Sequence, residues 1–281
     1  MPLDYHRLMA MPTLDVRHEI SERDTILYAL GIGARELCYV YEDGLEAFPT
    51  IAAVVTYPGF FAKDPKYGLT WQRVLHGEQS VEIHRPFPSS GAFHASTKID
   101  EIYDKGADKG AIMEVSRVIF EDGSAEPVAT VRSRSFLRGD GGFGNMGQGQ
   151  PPVPHAIPDA RAPDISVRLP THEDQALIYR LSGDYNPLHI DPEVARSAGF
   201  DRPILHGLCT YGVVGRALVQ SVCEGRAARL KRMDVRFSSP VYPGEAVTTE
   251  VWHEGEGRAA FRARIESRDV TVINNGLLEY Q

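Results

Sequence analysis

The chain has 281 residues, of which 42% are hydrophobic and 24% are charged. This composition is typical of globular proteins and excludes a disordered chain. The net charge of −8 disfavours nucleic acids and membrane surfaces as partners. The longest purely apolar runs are far shorter than the ~18 residues of a membrane-spanning helix. Three widely spaced cysteines and an N-terminus without an apolar leader predict a cytoplasmic protein.

The first half of the chain contains the pattern of a β-hairpin. Residues 111–120 and 128–137 are strand-like, and Asp122-Gly123 supplies the turn between them. Upstream of the hairpin, His76-Gly77 is followed almost at once by another strand-like run over residues 80–87. The sequence therefore predicts strands in this half and no long helix after His76-Gly77.

A glycine- and proline-rich segment divides the chain. Residues 139–163 contain six glycines followed by five prolines, a composition that disfavours regular elements and is typical of linkers. We therefore predict an N-terminal unit over 1–138, a linker over 139–164 and a C-terminal unit over 165–281.

The second half predicts two helices followed by strands. Thr171 and Asp174 resemble a capping box, and Leu177, Ile178 and Leu181 would form the apolar stripe of a helix that ends near Gly183. A second helix is expected over 207–222, and it must be buried because it is apolar around nearly its whole circumference. The strands are predicted at the following positions: 232–237, 247–252, 259–265 and 269–273.

The two halves also share motifs in the same order, which indicates an old duplication. The paired motifs occupy residues 26–31 and 177–182, 74–77 and 204–207, and 86–88 and 240–243. A buried helix wrapped by an antiparallel sheet is the hotdog architecture, so two copies would form a double hotdog of the α+β class.

The densest polar cluster lies at residues 182–191, where Asn186-Pro187 forces the chain out of a helix. A turn of this kind can hold Asp184, Asn186 and His189 around one water molecule and move its protons. Gly207 would begin the buried helix, so its free N–H can point at an anionic oxygen. None of the ten histidines lies in a common metal-binding spacing.

The sequence around this turn contains the motifs Tyr-Arg-Leu-Ser-Gly-Asp at 179–184 and Pro-Ile-Leu-His-Gly-Leu-Cys-Thr at 203–210. Through these motifs it resembles the MaoC-like hydratase 2 family. These proteins are R-specific 2-enoyl-CoA hydratases. The resemblance covers nearly the whole chain. Within the family, the chain is similar to the hydratase unit of peroxisomal multifunctional enzyme type 2. It implies a double hotdog in which the central helix is complete only in the C-terminal repeat.

The resemblance also implies an activity and a set of site residues. The activity is interconversion of trans-2-enoyl-CoA and (3R)-3-hydroxyacyl-CoA in fatty-acid or sterol-side-chain β-oxidation, by a homodimer that needs neither a metal nor a cofactor. Asp184 and His189 match the catalytic pair, Asn186 helps to hold the water and Gly207 donates to the oxyanion. The implied contacts of the acyl-CoA substrate are His76, Gly77, Lys105, Tyr185, Pro187, Leu188 and Phe237.

The first half cannot repeat this chemistry. Aligning Tyr28 with Tyr179 places Gly33 opposite Asp184 and Cys38 opposite His189, so we expect one active site. A groove in place of the missing first helix could then hold a long acyl chain.

The acidic chain also needs a local basic patch for the phosphates of coenzyme A. The candidates are Arg226, Arg229, Lys231, Arg232, Arg236 and Lys105.

Two other functions remain open on the sequence. A hotdog fold also serves thioesterases, because a fold does not fix a function. A non-catalytic acyl-CoA-binding protein would bind the same ligand without turnover.

Overall fold

Ten antiparallel strands form a single sheet in the computed structural model, which describes residues 3–281. The strands are β1 (Leu14–Ile20), β2 (Val74–Ile83), β3 (Gly91–Asp104), β4 (Ala111–Glu121), β5 (Pro127–Leu137), β6 (Ile165–Pro170), β7 (Leu230–Phe237), β8 (Ala246–His253), β9 (Arg258–Ile265) and β10 (Val270–Tyr280). The α-helices are α1 (Tyr5–Met9), α2 (Glu22–Gly31), α3 (Leu37–Val40), α4 (Gln175–Tyr179), α5 (Pro192–Ser197) and α6 (Gly207–Ser221). The predicted hairpin and the four predicted C-terminal strands are all present.

The strand order shows the duplication directly. It is β1-β3-β4-β5-β2-β7-β10-β9-β8-β6. Counted inward from either edge, each half places its first, third, fourth, fifth and second strand in turn. The two halves join where β2 pairs with β7, so the sheet has an approximate twofold axis at its centre.

Helix α6 is the central helix of the C-terminal repeat. Almost all of its side chains are buried, and it packs against β6, β7, β8 and a short 3-10 helix of the first repeat, Pro49–Ala53. Gly212 lets it approach the first repeat closely, because a Cβ atom added there would lie 2.3 Å from Ile32 Cγ2. The prediction of a buried helix that begins at Gly207 is confirmed.

The N-terminal repeat lacks an equivalent long helix, as predicted. Between β1 and β2 it has α2, α3 and several 3-10 turns, of which the buried Pro49–Ala53 contacts β2 and β5. Its inner face carries two separate groups of buried apolar side chains. The second of these includes Leu3, Leu8, Tyr67 and Met113, so the N-terminal segment fills part of the space left by the missing helix.

Two predicted motif pairs are structurally equivalent and one is not. Tyr28 of α2 and Tyr179 of α4 face each other, with ring centroids 6.0 Å apart, and the paired prolines follow β2 and β7. By contrast, residues 74–77 lie inside β2, which begins six residues before the predicted strand at Ser80. The counterpart of β2 is β7, whereas 204–207 precedes α6, so pairing those two motifs was wrong.

The local prediction for α4 was also wrong. The Thr171 hydroxyl donates to the Glu245 carbonyl, and the Asp174 side chain makes no capping bond. Leu177 and Leu181 are exposed, while Ala176 and Tyr179 are buried. The buried face of this short helix is set by its contact with α2 rather than by its most hydrophobic residues. The α-helix ends at Tyr179 and continues as a 3-10 helix, which ends before Gly183 as predicted; Gly183 has the left-handed φ of +117° that favours glycine.

The predicted linker over 139–164 contains neither helix nor strand. Its first glycines wrap the β3–β4 loop, since Gly142 and Gly144 donate their N–H groups to the Asp104 carboxylate. Its middle is held by Asn275, whose side chain donates to the His155 carbonyl. None of the helices within residues 3–281 is long and apolar enough to cross a membrane.

Close packing at Gly212 gives a first prediction. Gly212→Val should destabilise the protein by about 1–3 kcal/mol, because the added methyl groups overpack the contact between α6 and Ile32. Urea unfolding measures the loss. Gly215→Ala is the milder control, since its added Cβ would lie 3.1 Å from the nearest atom. A Gly212→Val protein as stable as the wild type would contradict the close approach.

Candidate active site

Hydrogen bonds between side chains and nearby backbone N–H groups hold the turn that follows α4. After Gly183, the Asp184 carboxylate accepts from Asn186 N–H at 3.2 Å, and the Asn186 side chain accepts from Leu188 N–H at 3.2 Å. Pro187 then begins a 3-10 turn that ends at His189. These bonds fix the chain so that the acid and the imidazole project from the same side of the turn.

His189 is buried and its tautomer is set by one hydrogen bond. Its Nδ1 donates to the Ile204 carbonyl at 2.8 Å, which leaves Nε2 with the free lone pair in the neutral ring. Burial lowers the pKa of His189, while the nearby charge of Asp184 acts in the opposite direction. The ring is therefore neutral at pH 7 and able to accept a proton at Nε2.

A second imidazole, His206, lies directly against His189. The two rings are stacked with centroids 3.8 Å apart and an interplanar angle of 29°. His206 Nε2 donates to the backbone carbonyl of Asp184 at 3.1 Å, and its buried Nδ1 has no partner among the described residues. Burial, and next the neighbouring His189, lower the pKa of His206 to about 4.

Asp184, His189 and His206 thus form one compact group, with one side-chain N or O atom from each lying within 4.8 Å of the others. Such a set can in principle hold a metal ion. Ligands of one ion direct their lone pairs at a common point, whereas stacked rings direct theirs nearly in parallel. The arrangement suits exchange of protons with a bound water better than chelation.

Gly207, the next residue, is the first of the fifteen residues of α6. N–H groups in the first turn of a helix have no partner within the helix, and the helix dipole makes them attractive to negative charge. A Cβ atom added to Gly207 would lie 3.5 Å from the Phe237 ring. The start of α6 therefore lies beside Phe237, at the end of β7.

A cavity of about 350 Å³ opens where β2 and β7 meet. Three predicted substrate contacts line it: His76, Gly77 and Phe237. The His76 and Phe237 rings meet edge to face at 5.1 Å. His76 is exposed to solvent through the cavity, and partial desolvation by the surrounding walls lowers its pKa to about 4.

Comparison with known proteins agrees with this geometry. Residues 157–275 match the MaoC like domain, and residues 18–139 match the MFE-2 hydratase 2 N-terminal domain. The chain is 42% identical to the 3-hydroxyacyl-thioester dehydratase Y of Mycobacterium tuberculosis, covering 93% of each protein. It is 39% identical to the peroxisomal enoyl-CoA hydratase 2 of Arabidopsis thaliana, covering 95% of this chain and 92% of that one.

The chain belongs to the MaoC-like hydratase 2 family.

Solved structures agree on the fold. A MaoC-like dehydratase from Phytophthora capsici superimposes with a TM-score of 0.88 at 39% identity, over 98% of both chains. A Mycobacterium tuberculosis protein described as a double hotdog superimposes with a TM-score of 0.60 at 13% identity, over 96% of both chains. This member of the MaoC-like family is therefore a double hotdog, as predicted.

The basic patch expected of this hydratase 2 family member is largely neutralised. Arg226 and Arg229 both pair with Glu224, and Arg232 pairs with Asp234 on its own strand. Only Arg236 reaches the cavity, where it is joined by Arg138. The sequence shows where the arginines lie along the chain but not which acids the fold places beside them. The predicted basic patch is therefore weaker than the number of arginines indicates.

The other predicted contacts of the MaoC-like site lie outside the cavity lining. Lys105 is exposed in the β3–β4 loop, and Tyr185 is exposed beneath the Arg180 guanidinium, 4.9 Å from its ring. Pro187 and Leu188 form the back of the turn, with Pro187 exposed and Leu188 partly buried.

Sequence reasoning did not assign roles to His206 or Arg138. His206 had a visible signal, because it immediately precedes the glycine that begins the buried helix. Arg138 had none, because it immediately follows β5 of the other repeat and meets Arg236 only through the β2–β7 junction.

The lowered histidine pKa values give a second prediction. His76, His189 and His206 all have lower pKa values in the folded protein than the ordinary 6.5. The unfolded chain therefore binds more protons as pH falls below about 6.5, and the free energy of unfolding decreases towards pH 4. His206→Phe removes one of these groups, so its stability should fall less steeply between pH 7 and pH 5 than that of the wild type.

Urea unfolding at several pH values measures this slope, and His172→Phe at an exposed position is the control. An unchanged slope in His206→Phe would show that the ring is not held neutral by burial.

Proposed function

We propose that this protein is a hydro-lyase that adds water to trans-2-enoyl-CoA and gives (3R)-3-hydroxyacyl-CoA, and that it also catalyses the reverse reaction. The observation that supports this most strongly is the grouping of Asp184, His189 and His206 within 4.8 Å of one another, directly before the free N–H of Gly207. The family relationship points to the same activity.

The side chains can deliver water without help from another group. A water held by Asp184 and His189 loses one proton as its oxygen bonds to C3 of the enoyl thioester. His189 Nε2 has the free lone pair for this proton, and Asp184 is the second acceptor. His189 or Asp184 then passes the proton taken from the water to C2, so the addition neither gains nor loses a proton. Asn186 is bound to its own turn, so its part is to fix the direction of the Asp184 carboxylate.

The negative charge that develops on the thioester oxygen requires a donor on the opposite side. The Gly207 N–H is placed for this, with the dipole of the long, buried α6 behind it. One donor of this type contributes on the order of 3 kcal/mol to the transition state. The reaction moves only water and protons, so the proposal includes neither a metal nor a redox cofactor.

We assign the cavity at the β2–β7 junction to the coenzyme A part of the substrate. Arg138 and Arg236 line it, and neither has an acidic partner within ion-pair distance among residues 3–281. Arg236 also lies over the Phe136 ring at 5.3 Å, which orients its guanidinium. We assign the two arginines to the phosphates of coenzyme A, with Phe237 between them and the reacting thioester at Gly207.

Three broader features complete the proposal. The acyl chain extends into the first repeat, where a long helix is missing, and the pathway is fatty-acid or sterol-side-chain β-oxidation.

A homodimer is the assembly that the family resemblance supports. The three cysteines are free thiols, which agrees with a reducing, cytoplasmic location. Size-exclusion chromatography tests the homodimer.

The catalytic assignment gives a third prediction. Asp184→Asn and His189→Ala should each reduce kcat/KM about 10²–10⁴-fold, because each removes a proton acceptor for the attacking water. Loss of enoyl-thioester absorbance measures the rate, and circular dichroism checks the fold. Asp191→Asn is the matched control, since Asp191 only caps α5 and asparagine caps equally well.

A fully active Asp184→Asn or His189→Ala would exclude the assignment. Release of free thiol from the substrate would instead support a thioesterase, and binding without turnover would support an acyl-CoA-binding protein.

The phosphate assignment gives a fourth prediction. Arg138→Gln and Arg236→Gln should each raise KM for enoyl-CoA roughly tenfold with little change in kcat, because they remove contacts made equally in the ground and transition states. The wild-type KM should also rise with salt. Arg232→Gln is the control on the same strand as Arg236, because Arg232 is already paired with Asp234. Equal effects of all three substitutions would rule out a specific phosphate site.

A further inference from the structure

One arginine interrupts the apolar inner face of the first repeat. Along β4 the inward side chains are Met113, Val115, Arg117 and Ile119, and all are buried. Met113 and Val115 belong to one hydrophobic cluster, whereas Ile119 belongs to the other. Arg117 therefore lies at the boundary between the two clusters, inside the repeat that lacks its long helix.

Arg117 is a buried cation without an acidic partner. It is only 7% exposed. Its Nη2 donates to the carbonyls of Ala52 and Ala53, and its Nε has no hydrogen-bond partner within residues 3–281. No carboxylate of residues 3–281 lies within ion-pair distance of it. Burial lowers its pKa to about 10, so the guanidinium is still charged at pH 7.

A second unpaired polar group lies beside it on the next strand. Thr97 of β3 is the register partner of Arg117 and is only 4% exposed. Its hydroxyl also has no hydrogen-bond partner among the described residues. Thr97 lines a small cavity of about 10 Å³ with apolar neighbours that include Phe61, Tyr67 and Val115. Buried polar groups are normally satisfied, so two adjacent unsatisfied groups indicate a ligand.

The Arg117 region and the catalytic turn act electrostatically on the same side chains. Tyr57 lies over the Arg117 guanidinium, 5.7 Å from ring centroid to Cζ, and is 47% exposed. It follows Thr56, which has an uncommon φ of +57° and whose N–H is held by His18 Nδ1. The charges of Asp184 and Arg117 act in opposite directions on the pKa values of both Tyr57 and His76. Arg117 and the catalytic carboxylate are therefore both close enough to act on the same two side chains.

We propose, on the basis of the function proposed above, that Arg117 and Thr97 bind a carboxylate carried by the acyl part of the substrate. A buried guanidinium needs a counter-charge, and a carboxylate accepts two hydrogen bonds from it. The Thr97 hydroxyl supplies a further donor. The apolar clusters on both sides hold the methylene chain that links this carboxylate to the reacting thioester.

The carbonyls of Ala52 and Ala53 do not replace this ligand. They satisfy one nitrogen of the guanidinium and hold the end of the 3-10 helix, but they carry no net charge. An arginine that only capped this helix would need neither an unpaired Nε nor an unpaired hydroxyl on the neighbouring strand.

The test compares two substrate series with the intact protein. One series contains trans-2-enoyl-CoAs of increasing chain length that end in a methyl group, and the other contains the same chains ending in a carboxylate. For the wild type we expect kcat/KM at one chain length or more to be at least about tenfold higher for the carboxylate, which corresponds to about 1.4 kcal/mol. Equal values at every length, as expected if only water occupies the site, would overturn the proposal.

Variants then identify the residues. Arg117→Gln should abolish the preference for the carboxylate and leave the methyl-terminated series within about threefold of the wild type. Thr97→Val, which preserves shape, should weaken the preference several-fold. Arg132→Gln is the matched control, because Arg132 is a neighbouring arginine on β5 that pairs with Glu82. If Arg117→Gln lowers both series equally, Arg117 acts on coenzyme A or on the fold, and the proposal is wrong.

Two further outcomes are separated by the same data. If Arg117→Gln does not fold, the wild-type comparison and Thr97→Val still decide. If neither series is consumed by the wild type, the hydratase function itself fails. Turnover of the methyl series without any carboxylate preference rejects only the acyl-carboxylate site.

Discussion

Two hydrogen bonds from histidine rings to backbone carbonyls hold the candidate active site together. His189 of the turn donates to Ile204, and His206 at the start of α6 donates back to Asp184. Each bond joins the turn at 184–189 to the segment at 204–206, and the two bonds run in opposite directions. Neither segment can therefore move away without breaking both bonds. Because the rings also stack, the acid, the base and the free N–H of Gly207 form one unit. Every catalytic role proposed here depends on this crossed pair.

The burial of α6 explains why this unit occurs once. The helix fills the C-terminal repeat, and its first turn delivers His206 and Gly207 to the turn after α4. The first repeat has the same strand order but no such helix. Its equivalent turn, at Gly33, packs instead against Gln175 and Arg216 of the other repeat. The duplicated turn has thereby become a contact between the two repeats rather than a second active site.

The sequence predicted the features that depend on local pattern or on a motif. The hairpin of β4 and β5, the buried α6 and the turn at Gly183 each arise from interactions within a short segment. The exposed Leu177 shows where this reasoning stops, because α4 buries the face that meets α2, whatever the hydrophobicity of the other face. The same limit applied to the arginines. Arg232 is cancelled by Asp234 on its own strand, while Arg138 and Arg236 gain a common cavity only when β2 and β7 pair. Contacts across the two repeats cannot be obtained from patterns within one.

Charge also determines how the two repeats cooperate. In the C-terminal repeat, two stacked imidazoles cannot both hold a proton at low cost in a buried site, and His189 accordingly lowers the pKa of His206. Burial lowers the pKa of His189 itself and keeps its Nε2 available as a base. Asp184 acts against this by attracting protons to both rings. The balance requires that Asp184 stay solvated or hydrogen-bonded, as it does through Asn186 N–H. The first repeat holds the opposite charge, Arg117, which is buried and has no acidic partner among residues 3–281. With the carboxylate site proposed above, a substrate would have its reacting end near a carboxylate and its far end near a cation, a polarity that an apolar groove alone would not impose.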